Sequence, residues 1–395
     1  MRAVLIVLAV WLAGLGAAAQ FAKVSMAYDL LALRYADQGP LAMAWMVSIV
    51  GLVGLVFGTT AGLIVARTGP RRAVVAGLVL GAVVSAVQAM LPAYPVMMGL
   101  RVLEGVSHLA IVVVGPTAIA AVAGGRHLGL AMTLWSTFFG LTYAVLAVVA
   151  PPVLAVGGVA GLFGGHAVWM GAAALLLARL LPPDPAAPPR ATGGLIAQHV
   201  AIYASPSVAA PALGFVFYTA VYVAMLTLLP PLLPEVLRLA VATGMPLVSI
   251  ALSLTFGVWA LRHVSPVTLV IGGFALAALG AVIFWLGLGQ GAVMAVGALV
   301  MMGALGLVQG ASFAAIPALN PTTADRARAS GAIAQLGNVG TTTGTPLLAL
   351  MLAGMGPAGI AAFALPLCAG GIAMHLWLAG RRAASRSRPG SPTAR

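Results

Sequence analysis

Charge is what this 395-residue sequence has least of: six acidic and nineteen basic residues, 6% charged in all, against 62% hydrophobic ones. So little polar material cannot coat a soluble fold of this length, and a mean hydropathy of +1.12 agrees. Lipid must therefore be the solvent for most of the surface. Cysteine is scarcer still. Cys368 stands alone in the last apolar stretch, which excludes an internal disulfide and says nothing about redox compartment. Catalytic motifs are missing too: there is no His-Glu-x-x-His pair, no Walker loop, no acidic cluster for magnesium and no Ser-His-Asp arrangement. A membrane enzyme and a self-contained ATP-driven pump are both disfavoured, and no cofactor or metal is expected. The net charge of +13 does not form a nucleic-acid face, because the basic residues stand singly or in pairs between apolar runs.

What is present is apolar sequence in repeated lengths. A bilayer core about 30 Å thick takes roughly 20 apolar residues per helix. Pro, Gly and charge punctuation divides the chain into runs at 4–28, 42–65, 73–91, 95–122, 128–150, 159–181, 207–233, 240–261, 266–288, 291–318, 329–354 and 357–379. The expectation is an all-α membrane protein with twelve transmembrane helices. The run 240–261, carrying Gly244 and Pro246, is the weakest of them. Arg2 before the first run and Ala17 to Ala19 within it resemble a secretory signal, but apolar character continues through Phe21, Val24 and Met26, so an uncleaved first helix is the simpler account.

Orientation follows from the arginines. With the amino terminus inside, the inner segments hold Arg2, Arg67, Arg71, Arg72, Arg126, Arg179, Arg190, Arg262, Arg326, Arg328 and the five arginines after residue 380, fifteen of the nineteen basic residues. Lys23 and Arg101 fall inside spans, leaving Arg34 and Arg238 for outer connectors. The asymmetry predicts cytoplasmic termini in an inner membrane. The Pro- and Ala-rich break from Pro182 to Ser205 divides six spans from six. Expected units are a first bundle at 1–181, a cytoplasmic linker at 182–206 with room for a short surface helix, a second bundle at 207–380, and a basic tail at 381–395.

The halves echo one another. Gly62 and Arg67 after the second span recur as Gly257 and Arg262 after the eighth, and Gly115-Pro116, Arg126 and Gly129 recur near Ile316-Pro317, Arg328 and Gly331. Such parallel repeats imply two six-helix bundles related by a pseudo-twofold axis along the membrane normal. The loop Gly62-Leu63-Ile64-Val65-Ala66-Arg67-Thr68-Gly69-Pro70-Arg71-Arg72 resembles the Gly-x-x-x-Asp-Arg-x-Gly signature of the major facilitator superfamily, and Arg101 and Gly105 match its fourth-helix Arg-x-x-x-Gly. Ala66 stands where the family has Asp, which puts the loop's charge relay in doubt. The run Arg101-Val102-Leu103-Glu104-Gly105 is also similar to the bacterial cyanate-transporter-like group.

In the loop, Gly62 and Gly69 are expected to allow close backbone approach, and Arg67, Arg71 and Arg72 to cap helix-end carbonyls, meet anionic headgroups or merely set orientation. The resemblance gives Arg67 a role in stabilising the outward-facing state.

An ionisable group within a span costs at least a few kcal/mol unless partnered, so those present are candidate functional groups. Arg101, Glu104 and His108 share one face of the fourth helix. They form either a structural ion pair beside a hydrogen-bonded histidine, or a switch in which Glu104 or His108 changes protonation while Arg101 holds a substrate anion or tunes the acid. On the first helix, Gln20 and Lys23 face inward, or Lys23 reaches the outer interface near Asp29.

The resemblance places the first, fourth, seventh and tenth helices around a central cavity. It thereby makes Gln20, Lys23, Arg101, His108, Tyr218, Tyr222 and Gln309 candidate substrate contacts, although tyrosines also anchor packing. Gln335, Asn338 and Thr341 to Thr343 fit helix packing better than binding. The implied activity is secondary transport of a small organic or inorganic anion by a monomer, coupled to protons through Glu104 and Arg101, with the lipid bilayer as its other partner. Efflux of a hydrophobic or cationic compound and a non-transporting sensor are the alternatives.

Overall fold

A computed structural model describes residues 2–123, 125–184 and 195–386. The linker residues 185–194 with Arg190, and the tail residues 387–395 with Arg388 and Arg395, lie outside these, as do the side chains of Ala66 and Arg126. The described chain is helical, without strands: α1 Arg2–Met26, α2 Tyr28–Arg34, α3 Gly39–Ser48, α4 Gly51–Phe57, α5 Ala61–Thr68, α6 Pro70–Ala89, α7 Tyr94–Val122, α8 Gly125–Ser136 and α9 Phe138–Leu180 make up the first part. Then follow α10 Leu195–Ala204, α11 Ala210–Leu228, α12 Glu235–Leu252, α13 Val258–Ala260, α14 Pro266–Leu286, α15 Gly291–Leu319, α16 Thr323–Met355 and α17 Gly359–Arg386. Among the described residues nine helical stretches are long and apolar enough to cross a membrane, or ten with α3 and α4 taken as one bent span. All-α membrane architecture is thus as expected.

Two expected pairs of spans run on without a loop. At 43 residues, α9 would be about 64 Å long if straight, roughly twice a bilayer core. Its Pro151 and Pro152 remove backbone donors, and Gly158, at φ 58°, turns the chain between the two expected spans. A three-residue 3₁₀ turn at Gly356–Ala358 similarly parts α16 from α17. The second expected run, 42–65, is instead broken into α3, α4 and α5, with a 53° bend between the first two pieces. Apolar composition alone gives no sign of such a break.

Within the first half, α1 packs on α7 and α9, and α6 on the same two helices. In the second, α11 packs on α16 and α17, α14 on α15 and α17, and α12 on α15. Small residues bring the backbones together, as where Gly344 of α16 lies against the Ala220 carbonyl of α11. The halves meet through α3 and α4 against α16, α9 against α12, and α1 against α11.

Candidate functional site

The described chain buries its span charges in one place. Lys23 on α1 and Arg101 and Glu104 on α7 are 1%, 0% and 0% exposed. Glu104 Oε1 accepts from Lys23 Nζ at 2.6 Å, and its Oε2 accepts from the Arg101 guanidinium and, at 3.0 Å, from the Gln88 amide on α6. Lys23 also donates to Ser85 Oγ at 2.5 Å and Gln88 Oε1 at 2.8 Å, and lies 4.7 Å from the centre of the Phe163 ring. Its whole donor capacity is spent inside the protein, so the reading in which Lys23 reaches the outer interface is overturned. Glu104 supplies the reason: its attraction in low dielectric, together with the Ser85 and Gln88 acceptors, offsets the loss of water around the ammonium. Asp29, its expected neighbour at that interface, is exposed in the first turn of α2.

Arg101 has a second task. Its Nε donates to the Met46 carbonyl at 2.8 Å, one Nη to Val47 at 3.1 Å, and the other to the Gln20 carbonyl at 2.6 Å. Met46 and Val47 end α3, where carbonyls lose their helical partners. The guanidinium therefore caps the first piece of the broken span, and the break and the buried arginine explain each other.

His108 does not join Glu104. Its Nδ1 lies 3.0 Å from the Ala17 carbonyl, and its ring stands edge-on to Phe21 at 5.1 Å. The Gln20 amide donates to Ser107 Oγ at 2.9 Å while its oxygen is buried without a partner. Three groups were not singled out from the sequence: Ser85, Gln88 and His166. His166 Nδ1 lies 2.7 Å from Ser85 Oγ and 3.3 Å from Lys23 Nζ, with its Nε2 2.9 Å from the Gly16 carbonyl. The rule that made Lys23 a candidate, an ionisable group within a span, applies equally to His166.

Across the interface between the halves the lining is aromatic. Phe21, Phe139 and Tyr143 follow one another with ring centres 5.9 and 5.4 Å apart, and Tyr218 and Tyr222 on α11 stand 5.2 Å apart. Gly140 leaves room for the Tyr222 hydroxyl, which a Cβ there would meet at 3.2 Å. Ser25 Oγ bonds Tyr143 at 3.1 Å and Thr227 at 2.8 Å, tying α1 to α11 at one end. At the other end, the Gln335 amide donates to the Leu55 carbonyl at 2.9 Å and Tyr203 donates to Gln335 Oε1 at 2.7 Å. Gln309 is half-buried on α15 and makes no hydrogen bond to the charged cluster.

The loop residues divide. Gly69 has φ 90°, and a Cβ on it would stand 2.2 Å from the Asp184 side chain. Gly62 has open space around it because α5 already runs as an exposed helix there, so no close approach needs that glycine. Asp184 accepts from the backbone N–H of Arg71 at 2.7 Å and of Arg72 at 3.1 Å, capping α6. Although Ala66 lacks the signature's carboxylate, this one arrives from the start of the linker. Arg71 donates to the Ala178 carbonyl near the end of α9 at 2.5 Å, while Arg67 is exposed.

Comparison with known proteins adds what the geometry leaves open. The family profile of the Major Facilitator Superfamily matches residues 6–345. The chain belongs to that superfamily. Among solved structures, a crystal structure of the D-xylose-proton symporter is similar with a TM-score of 0.76 and 15% sequence identity, over 96% of this chain and 97% of that one. None of the curated proteins matches. As a major facilitator protein the chain is a multi-pass membrane transporter of the secondary kind, not an enzyme. The buried cluster and aromatic interface are the features to be interpreted within that fold.

Proposed function

We propose that this protein moves a small organic anion by alternating access, coupled to protons through Glu104. The observation that carries the proposal is the threefold contact of Lys23, Arg101 and Glu104. Ionised, it holds two cations against one carboxylate; a proton on Glu104 leaves two buried cations with no counter-ion, which a low-dielectric site cannot hold cheaply. A substrate anion then takes the carboxylate's place as their counter-ion. Proton and anion then favour each other's binding, the reciprocity that coupled transport requires. Proton coupling in the structurally similar D-xylose-proton symporter supports the energy source. Rings from Phe139, Tyr143, Tyr218 and Tyr222 favour an organic body on the anion. Lys23, Arg101 and Gln20 are the proposed anion contacts, with His108, Tyr218, Tyr222 and Gln309 around the remainder.

In this reading twelve crossings form halves at 1–181 and 207–380, joined by the cytoplasmic linker 182–206 and followed by the tail 381–395, in the inner membrane as a monomer. The halves rock about the midplane while Gly69, Arg67, Arg71 and Arg72 hold the inner loop. Glu104→Gln decides the coupling. In proteoliposomes the variant is expected to lose uphill uptake driven by a pH gradient while retaining counterflow of a small anion found by thermal-shift screening. Unchanged uphill uptake would remove Glu104 from the mechanism.

A further inference from the structure

We infer that His166 is a second proton-carrying residue, supplied from Lys23 through the Ser85 hydroxyl. The shortest contacts favour one arrangement, the direct approach of Lys23 Nζ to His166 Nδ1 being longer at 3.3 Å. The Gly16 carbonyl can only accept, so the Nε2 beside it at 2.9 Å carries the ring proton, and in the neutral ring Nδ1 is an acceptor. An ammonium can only donate, so Ser85 Oγ accepts from Lys23 at 2.5 Å and turns its single proton to His166 Nδ1 at 2.7 Å. One hydroxyl thus bridges an ammonium and an imidazole, all three groups being buried.

The step balances within these residues. An N–H bond of Lys23 breaks as its proton goes to Ser85 Oγ, and the serine proton leaves to form the Nδ1–H bond of His166. The serine is regenerated with its hydroxyl turned, Lys23 becomes a neutral amine, and the positive charge now stands on the imidazolium. No net charge is created inside the membrane. The charged groups facing the ring are Lys23 on α1 and, beyond it, Glu104 and Arg101 on α7, while α6 contributes the neutral Ser85 and Gln88. After the transfer Glu104 keeps one adjacent cation, Arg101, where it had two. The location of one proton thereby sets how firmly the carboxylate is held.

This inference rests on the reading that the cluster carries the coupled proton, so its test separates the two. Full-length protein with ¹⁵N-labelled histidine rings is placed in phosphatidylethanolamine and phosphatidylglycerol vesicles for solid-state NMR. The His166 signal is the one absent from His166→Gln, whose amide can still bond both Gly16 and Ser85. At about pH 8 the expected ring is neutral and protonated on Nε2, and lowering the pH to about 3 is expected to turn it into imidazolium. A ring neutral throughout that range, or one protonated on Nδ1 at the upper end, overturns the inference. Ser85→Ala is expected to slow proton uptake after a pH jump about tenfold or more, and Ser85→Thr to restore it. Uptake by Ser85→Ala at the parent rate also overturns it. Glu104→Gln supplies the separating arm. If it binds as many protons as the parent while His166 still titrates through Ser85, the Glu104 assignment fails and the relay stands. If it loses a proton while His166 stays neutral, the relay fails and Glu104 stands.

Discussion

At the scale of single residues, charge arithmetic around Glu104 makes a prediction that contact counting would miss. Removing one partner of a buried ion pair costs about 3–5 kcal/mol, because the other is left unpaired in low dielectric. Glu104→Gln strands two cations, whereas Lys23→Met leaves the Arg101–Glu104 pair intact and neutral. Glu104→Gln is therefore expected to destabilise the protein by about 3–5 kcal/mol and Lys23→Met by less. The double variant, with Arg101 as its only charge, should be at least about 1 kcal/mol more stable than the sum of the singles implies. Cys368, buried and the sole thiol, makes the measurement direct, since a thiol-reactive dye reports unfolding without an added label. Lys23→Met proving worse than Glu104→Gln would mean that Lys23 matters for packing rather than charge. The i, i+3 spacing of Arg101 and Glu104 made their pairing legible in the sequence. Lys23 joining Glu104 across 81 positions, and Ser85 and Gln88 closing around it, have no local signal because they depend on how α1, α6 and α7 are stacked.

Among elements, the glycines divide by what stands opposite them. A Cβ on Gly344 would lie 2.0 Å from the Ala220 carbonyl oxygen, backbone that cannot yield without parting α16 from α11 inside one half. On Gly54 a Cβ would meet the Asn338 side-chain carboxamide at 2.3 Å, the movable end of a residue across the interface between halves. Gly344→Ala is thus expected to cost about 1–3 kcal/mol of stability. Gly54→Ala should stay within about 0.5 kcal/mol of the parent and loosen the α4–α16 contact instead. Melting of the purified variants tests the first difference. Faster labelling of Gln335→Cys by a membrane-impermeant maleimide in the Gly54→Ala background tests the second, and equal labelling would show that this contact is not a moving one. Membrane-crossing helices were readable from apolar length, nine or ten stretches qualifying among the described residues, and the weak run 240–261 is helical as far as Ala260 with a π-helical turn at Ser253–Gly257. The break of the second span was not, because its carbonyls are satisfied by Arg101 from another helix, and hydropathy does not register that.

For the whole molecule the open quantity is topology, since helix length alone allows two readings of α9 and two of the α16–α17 stretch. Arginine placement argues for one. If the turn at Gly158 and the 3₁₀ turn at Gly356 each reverse the chain at the outer surface, twelve crossings result, and fifteen of nineteen basic residues stand on the side of both termini. Treating one stretch alone as a single crossing puts Arg2 and the arginines after residue 380 on opposite faces, and treating both so puts Arg179, Arg262, Arg326 and Arg328 on the face opposite the termini; either way the asymmetry that orients membrane proteins is discarded. The contact of Asp184 with the backbone of Arg71 and Arg72 points the same way, because it brings the end of the sixth expected span to the inner loop between the second and third. In a bacterial host, green fluorescent protein fused after Arg395 should therefore fluoresce, and alkaline phosphatase inserted at Gln38, between α2 and α3, should be active. A dark carboxy-terminal fusion together with an active phosphatase fused at the same place would mean an odd number of crossings, and the inverted-charge topology would then have to be accepted.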